Sequence, residues 1–586
     1  MKLSDYVIDY LVSCGVTHIF EVCGGALAHL LDSLHGRNDI SVVSMHHEMA
    51  ASIAAEGYSR ASENIGVAMA TSGPGATNMI TAIGSCFFDS IPCLFITGQV
   101  NTYEFKFDRP IRQVGFQETD IVKIVTPLVK KAFLITDEKN IKYILGESIN
   151  IARTGRKGPV LLDLPLNIQR ADIDSERLEA YPEKTILNPN KTDVSILDQI
   201  VHLVESASRP IILVGGGVRL SKAQSELMEF VDKSGIPVVT SLMGLDSFPH
   251  DHASFVGMIG TYGNRYANLA IANSDLVLAL GTRLDTRQTG TMPETFARGA
   301  KIVHVDIDPY ELDSKVKVSF PLHDDVRHFL SELNSSNIDY DKIKIGQWAE
   351  KIAQYKACYP AFITPDGDSI DPNFFMSLLS DFIPDRAIIC VDVGQNQMWA
   401  AQSLQLKGSQ RFLTQGGMAS MGSALPMAIG ASFARPGQIV VVITGDGGFQ
   451  LNLQELQTVY HHNLPIKIIM LNNNCYGMVR QFQEQYFESR FQSTVIGYSN
   501  PNFQDVVRAY KIPVLKIDRN NEIADALRGL FSDMRPAFIE VGIETSTKVT
   551  PKLSVNRPIE DQDPILPREE LKSNMFIDVL LEPEKI

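Results

Sequence analysis

From one end to the other, short apolar runs alternate with stretches of helical periodicity. They include ISVVSM, NIGVAMA, CLFITG, PVLLDLP, PIILVGGG, DLVLALG, KIVHVDI, AIICVDVG, IVVVITGDGG and PIKIIMLNNN. Many are apolar on successive residues, not on every second one, which suits strands buried on both faces of parallel sheets. With a helical stretch after most of them, the chain reads as α/β. At 586 residues it exceeds what one core can serve, since a domain holds roughly 150 residues. Two polar stretches, Tyr181–Asp193 and Tyr359–Asp371, divide it. The expectation is three consecutive parallel-sheet α/β domains over 1–180, 190–345 and 365–547, plus a C-terminal tail over 548–586. The tail carries five prolines and little periodicity, so it is expected to wrap the surface and not to build a core.

The net charge is −15, from 53 basic and 68 acidic residues. That disfavours nucleic acid or an anionic membrane as the main partner. An anionic cofactor is still compatible, because backbone amides can bind phosphate in an acidic protein. The seven cysteines form no CxxC pair, which argues against a zinc site or disulfide framework and for a reducing compartment. The opening MKLSDYVIDYLVSCG is amphipathic and acidic, unlike a leader. No apolar run is long enough to cross a bilayer, and a cytoplasmic protein is expected.

The most informative segment is IVVVITGDGGFQLNLQELQTVYHHNLPIKIIMLNNNCYGMV. One strand ends at Gly445-Asp446-Gly447-Gly448, and the next ends at Asn472-Asn473-Asn474. The 27 positions from 446 to 473 are the length of one strand–helix–strand unit. Ligands of parallel sheets bind at the carboxyl ends of the strands. Asp446 and Asn473 are hard oxygen donors suited to Mg²⁺, and the glycines admit a phosphate closely.

This pattern resembles the thiamine-diphosphate enzymes, whose signature is GDG followed by NN. The resemblance implies thiamine diphosphate held through Mg²⁺ by Asp446, Asn473 and the backbone carbonyl of Cys475. Such an enzyme needs a carboxyl group against the aminopyrimidine, so that the thiazolium C2 proton can be removed. Glu48, in SVVSMHHEMAASIAAEGYSRA, is the candidate, at a strand-to-helix junction that the alanines mark as buried. Glu56, two turns along the same helix, is assigned a structural role. HE…GYSRA…TSGPGATN is similar to the pyrimidine-binding domain of the class, which adds Pro74 and Asn78 to the cofactor contacts. The first and third blocks then become the pyrimidine- and diphosphate-binding domains, with a Rossmann-like domain between them. The resemblance also implies a site shared by two subunits, hence a homodimer or a dimer of dimers.

Up to about residue 545 the resemblance is closest to the catalytic subunit of acetolactate synthase. It implies Gln395 and Asn396 at the diphosphate, with Ala419, Met421, Gly477 and Met478 along the thiamine. Phe116 and Gln117 would face the reacting carbon, Phe482 the second substrate, and Arg287 the acceptor's carboxylate or a flavin. In the middle block it implies an FAD site from Arg156, Gly215, Gly216, Gly217, Gly260, Tyr262, Gly263, Gly281, Arg283, Asp285, Arg287, Asp306 and Asp324. The chain departs from the family where IFEVCGGA replaces VFGYPGGA, where Leu166 replaces a Lys and where Phe482 replaces a Trp. These changes surround the acceptor and spare the thiamine machinery. The expected reaction is decarboxylation of pyruvate and transfer of its two-carbon unit to a second pyruvate, giving 2-acetolactate. Three alternatives stand beside it: a keto-sugar-nucleotide acceptor, suggested by the tail; a simple decarboxylase, suggested by His46-His47; and a non-catalytic binding module.

Overall fold

The computed structural model describes residues 1–182 and 192–580. Most of the first predicted linker therefore lies outside the described residues. The second, Tyr359–Asp371, is irregular between helices Gly346–Cys358 and Pro372–Phe382.

Eighteen strands form three six-stranded sheets. The first holds β1 His18–Val22, β2 Ser41–Ser44, β3 Gly66–Ala70, β4 Cys93–Gln99, β5 Lys131–Leu134 and β6 Val160–Pro165. The second holds β7 Pro210–Val214, β8 Val238–Thr240, β9 Phe255–Met258, β10 Leu276–Leu280, β11 Lys301–Asp306 and β12 Phe320–His323. The third holds β13 Ile388–Val391, β14 Arg411–Leu413, β15 Val440–Gly445, β16 Ile466–Asn472, β17 Val514–Ile517 and β18 Ala537–Gly542. Every pairing within them is parallel. β3, β4, β6, β7 and β10 are buried along their whole length, as consecutive apolar residues require.

The outer sheets share one topology. Their orders are β2-β1-β3-β4-β6-β5 and β14-β13-β15-β16-β18-β17, the same sequence of moves. The middle sheet runs β12-β11-β10-β7-β8-β9, which is the dinucleotide-binding order. Growth reverses direction between β1 and β3, β7 and β10, and β13 and β15, and in the two outer sheets again at the last strand. Such a reversal opens a crevice at the strands' carboxyl ends where ligands bind.

The first and third blocks share one apolar core. Helix Glu48–Ser62 crosses helix Ala424–Ala434 so closely that a Cβ on Gly430 would lie 1.8 Å from the Ala54 carbonyl oxygen. The reciprocal contact is as tight, with a Cβ on Gly57 falling 2.2 Å from the Met427 oxygen.

The tail does more than the expected surface wrap. Val549, Ile559 and Leu571 are buried in the cores. Lys552–Leu553 pairs antiparallel with Gln562–Asp563. Arg265 donates to Pro564 O at 2.6 Å and Asn273 to Asn574 O at 3.0 Å. Sparse apolar residues suffice here because the third block, at Val549, and the middle block, at Ile559 and Leu571, supply the other half of each contact.

Beneath the first sheet's carboxyl edge, Asp163 is fully buried and accepts from Thr97 Oγ1 at 2.7 Å and Gln99 Nε2 at 2.9 Å. Burial pushes its pKa up to about 7. The native state therefore keeps a proton that an unfolded Asp releases near pH ~3.9. Native protein binds more protons across that window, so its unfolding free energy falls as pH rises from about 4 to 7. Asp163→Asn keeps both hydrogen bonds without the charge. It is expected to stabilise the protein by a few kcal/mol at pH 8, the gain fading towards pH 4, as urea denaturation at the two pH values would show.

Candidate active site at the sheet switch points

In the third block, β15 and β16 run side by side with Gly445 opposite Leu471. Asp446 opens the short helix Asp446–Gln450, and Asn473 follows β16 directly. Asn473 Oδ1 lies 2.9 Å from the Cys475 carbonyl oxygen and 3.3 Å from Asp446 Oδ1. Three oxygens thus face one another with no hydrogen among them. Turning the amide over would put a donor there, but the surrounding network opposes the turn. Asn473 Nδ2 donates to Gln395 Oε1 at 2.9 Å, and Gln395 is held that way round because its own Nε2 donates to Thr547 O at 3.1 Å. Neighbouring oxygens in an octahedral shell of radius ~2.1 Å lie about 3 Å apart. The three oxygens therefore suit a small, hard cation.

Two residues outside the motif complete this end. Tyr498 OH and Asn500 Nδ2 both donate to Asp446 Oδ2, at 2.9 and 2.7 Å. Burial raises the Asp446 pKa, and these two donors oppose that rise. Gly477 leaves room for Gln395, since a Cβ there would sit 1.8 Å from Gln395 Oε1 and displace that side chain. Asn396 spends both amide hydrogens inward, on Asp392 O (2.7 Å) and Ile443 O (3.4 Å). The direct donation to phosphate implied by the resemblance is thus not made in this orientation. Asp392, at the β13–β15 switch point, accepts from Thr444 Oγ1 and from the amides of Val393, Gly422 and Ser423. Burial raises its pKa to about 6. It ties the turn after Met421 to the end of β15, and a Cβ on Gly448 would lie 2.5 Å from it. Met421 itself is half-buried.

In the first block, Glu48 is the first residue of its helix, and Asn78 Nδ2 donates to its Oε2 at 2.8 Å. The carboxyl group is only half-buried. Pro74 and Asn78 are exposed on the adjoining short helix, and Phe116 is 86 % exposed. Gln117 holds φ +63° and rests against Gly73, itself at φ +66°. Glu118 fixes this loop by accepting from the amides of Lys106 and Val114 at 2.7 and 2.6 Å. The decarboxylase alternative loses its support. His47 Nδ1 accepts from Met49 N and caps the helix, while His46 contacts Glu455 and Thr458.

Glu56 is buried, as its structural assignment requires. Together with Asp89 it binds Arg60 Nη2 at 2.7 Å. Glu56 also accepts from Gln415 Nε2, and Asp89 from the amides of Gly416 and Gly417. This knot anchors the 415–420 loop, and exposed Ala419 (φ +55°), to the first block.

The middle sheet's switch point opens on a cavity of about 510 Å³. Gly216, Gly217, Tyr262, Gly281, Arg283, Asp285, Arg287, Asp306 and Arg156 line it. Gly215 lies beneath, packed against Gly281. Burial raises the Asp306 pKa to about 6, and Arg156 pairs with Asp308 and Glu311 at 2.9 and 2.7 Å. Besides Gly215, three residues of the expected set are not part of the lining. Gly260 and Gly263 serve backbone packing, where a Cβ would strike Arg287 O or Ile259 C. Asp324 is buried against His328 and Thr192. Met478 reaches the cavity from the third block, and Phe482, one turn further along helix Gly477–Tyr486, is 42 % exposed.

Among the described residues, no helix is long and apolar enough to cross a membrane. Three family models match in succession. The thiamine pyrophosphate enzyme N-terminal TPP binding domain covers residues 1–124, the central domain 197–333 and the C-terminal TPP binding domain 392–541. Among curated relatives, acetolactate synthase 2, chloroplastic, of Nicotiana tabacum is 36 % identical over 577 residues, covering 96 % of this chain and 85 % of that one. The acetolactate synthase large subunit of Lactococcus lactis subsp. lactis is 36 % identical over 558 residues and 94 % of each chain. With switch points, motif and sequence agreeing from end to end, the chain belongs to the acetolactate synthase family of thiamine pyrophosphate enzymes.

Proposed function

We propose that this chain condenses two molecules of pyruvate to 2-acetolactate with release of carbon dioxide. The observation that carries the reading is the convergence of Asp446 Oδ1, Asn473 Oδ1 and Cys475 O at the third sheet's switch point, in a chain with this family's sequence throughout. Those oxygens would hold Mg²⁺, and the Mg²⁺ would hold the diphosphate. When bound, thiamine diphosphate supplies a nucleophilic carbon and an electron sink that let the donor's carboxylate depart. Glu48, oriented by Asn78, keeps a proton in play at the aminopyrimidine N1′. Gln117 donates to oxygen that gains negative charge. Met478 and Phe482 shield the reacting groups from water, and Arg287 pairs with the acceptor's carboxylate.

The middle cavity fits FAD. Its glycine-lined floor lies at a dinucleotide switch point, with Asp306 at the end of β11 and Arg156 at the rim. A homodimer is the smallest unit in this reading. The first block's half-site exposes Tyr103, Phe107, Ile111 and Phe116, and the third block's exposes Tyr476, Val479, Phe482 and Ile496. Apolar surface of that extent marks an interaction face, and a second copy supplies the complementary one. The same reading places the protein in the cytoplasm.

Purified enzyme given pyruvate, thiamine diphosphate and Mg²⁺ is expected to yield acetolactate by mass spectrometry. Removing the metal with EDTA is expected to abolish turnover, and Mg²⁺ to restore it. Product formation undiminished in EDTA would rule out the metal assignment, and absence of acetolactate would rule out the reaction.

A further inference from the structure

The turn at Phe116 and Gln117 is held in a conformation that its own residues do not favour. Gln117 sits at φ +63°, in the left-handed region, where Cβ crowds the following carbonyl oxygen and glycine alone enters freely. The residue it rests on makes room for it. Gly73 has no Cβ, and one placed there would lie 3.1 Å from both the Cβ and the carbonyl oxygen of Gln117. Gly73 immediately precedes helix Pro74–Asn78, whose Asn78 donates to Glu48 Oε2 at 2.8 Å. The turn therefore lies against the element that orients Glu48. If only the shape of the turn mattered, a glycine would supply it without strain. A glutamine in that place points to a use for its side chain. Gln117 is half-buried, and among the described residues its amide group has no hydrogen-bond partner.

Strain of this kind persists only where neighbouring contacts over-determine it, and Glu118 supplies most of them. Its side chain is buried, and each carboxylate oxygen accepts from a different backbone amide. Oε1 takes Lys106 N at 2.7 Å and Oε2 takes Val114 N at 2.6 Å, so one side chain pins both arms of the loop that leads into the turn. The Glu118 main chain is tied as well: its N–H donates to Gly115 O at 3.2 Å, and its carbonyl accepts from Gln113 Nε2 at 3.0 Å. One residue further, Gln99 Nε2 donates both to Thr119 O at 2.8 Å and to the buried Asp163 Oδ2 at 2.9 Å. That fastens the far side of the turn to β4 and β6.

We propose that Glu118 is a positioning residue for the carboligation: it holds Gln117 in the left-handed turn, so that the Gln117 amide meets the oxygen that gains negative charge. This rests on the carboligase reading above and adds the residue through which Gln117 is set. Glu118 touches no substrate, and its effect passes through Gln117. The role needs two acceptor oxygens. An isosteric glutamine offers one, and its NH2 group then faces a backbone N–H, so one of the two pins is lost and the turn relaxes towards a conformation that glutamine prefers.

A double-mutant cycle on the full-length holoenzyme tests this, read as acetolactate formed from pyruvate. Gln117→Ala removes the donor and is expected to lower kcat about a hundredfold, with KM for pyruvate within a few-fold of wild type. Glu118→Gln is expected to lower kcat about tenfold. In the Gln117→Ala background, Glu118→Gln is expected to cost nothing further, because the side chain it positions is gone. A merely structural Glu118 would cost the same factor in both backgrounds, giving a loss of about a thousandfold in the double variant, and that result would overturn the proposal. Wild-type kcat in either single variant would overturn it too. If Glu118→Gln does not fold, Glu118→Asp, which keeps both acceptor oxygens on a shorter arm, carries the same cycle. Carbon dioxide release by the wild-type enzyme reads the underlying assignment separately. If wild type releases none from pyruvate, the carboligase reading fails; if it does and the two losses multiply, only the positioning role fails.

Discussion

Glu48→Gln is expected to lower kcat about a thousandfold while thiamine diphosphate still binds, the size of effect a positioned acid–base group supplies. The glutamine is isosteric and its Oε1 can still accept from Asn78, so the 2.8 Å contact that orients the side chain survives. What is lost is the exchangeable carboxyl proton. The outcome should be a fall in both kcat and kcat/KM for pyruvate, with cofactor affinity by calorimetry within a few-fold of wild type. Turnover close to wild type would remove Glu48 from its role. Loss of cofactor binding in parallel with activity would make it a scaffold residue instead.

Gly430→Ala is expected to be the most damaging single methyl group in the molecule, costing about 3 kcal/mol or more. Its Cβ would fall 1.8 Å from the Ala54 oxygen and 2.8 Å from the Tyr58 amide nitrogen. These are backbone atoms of a helix that cannot yield by a rotamer change, so the two helices must separate. That separation opens the core shared by the first and third blocks and shifts the helix that begins at Glu48. Gly57→Ala strains the same crossing from the other side. The double variant should cost less than the sum of the two, because one displacement relieves both clashes. Denaturation midpoints of the three variants test this, and additive losses would mean the helices do not move as a pair.

The fold was legible in the sequence to the extent that parallel strands announce themselves. Runs such as VLLDLP and IILVG are apolar on successive residues, Asp163 apart, because both faces of β6 and β7 are covered. Asp446 and Asn473 were legible for a related reason. Each follows a buried strand, and one crossover places the two strands side by side. Glu48 was legible only through family resemblance, since an acidic residue at a helix N-terminus is ordinary chemistry. Tyr498 and Asn500 carried no signal, because they reach Asp446 from a loop more than fifty residues away. The Glu56–Arg60–Asp89–Gln415 knot was hidden for the same reason, joining residues 359 positions apart. Asp324, Gly260 and Gly263 were expected as ligand residues through family resemblance. Folding turned the first into a buried anchor for His328 and the other two into backbone spacers.

By itself the sequence determined the class of fold, the number of sheets, the donors of the third block's oxygen cluster and the family, because each is written in local pattern or short spacing. The tertiary structure alone decided which way the Asn473 amide faces, how closely the first block lies on the third, and that the tail is tied through Thr261 to the backbone at Arg287. Those facts depend on contacts between residues distant in the chain. Their energies come from close packing and from charges in a poorly solvated interior, and no local pattern encodes either.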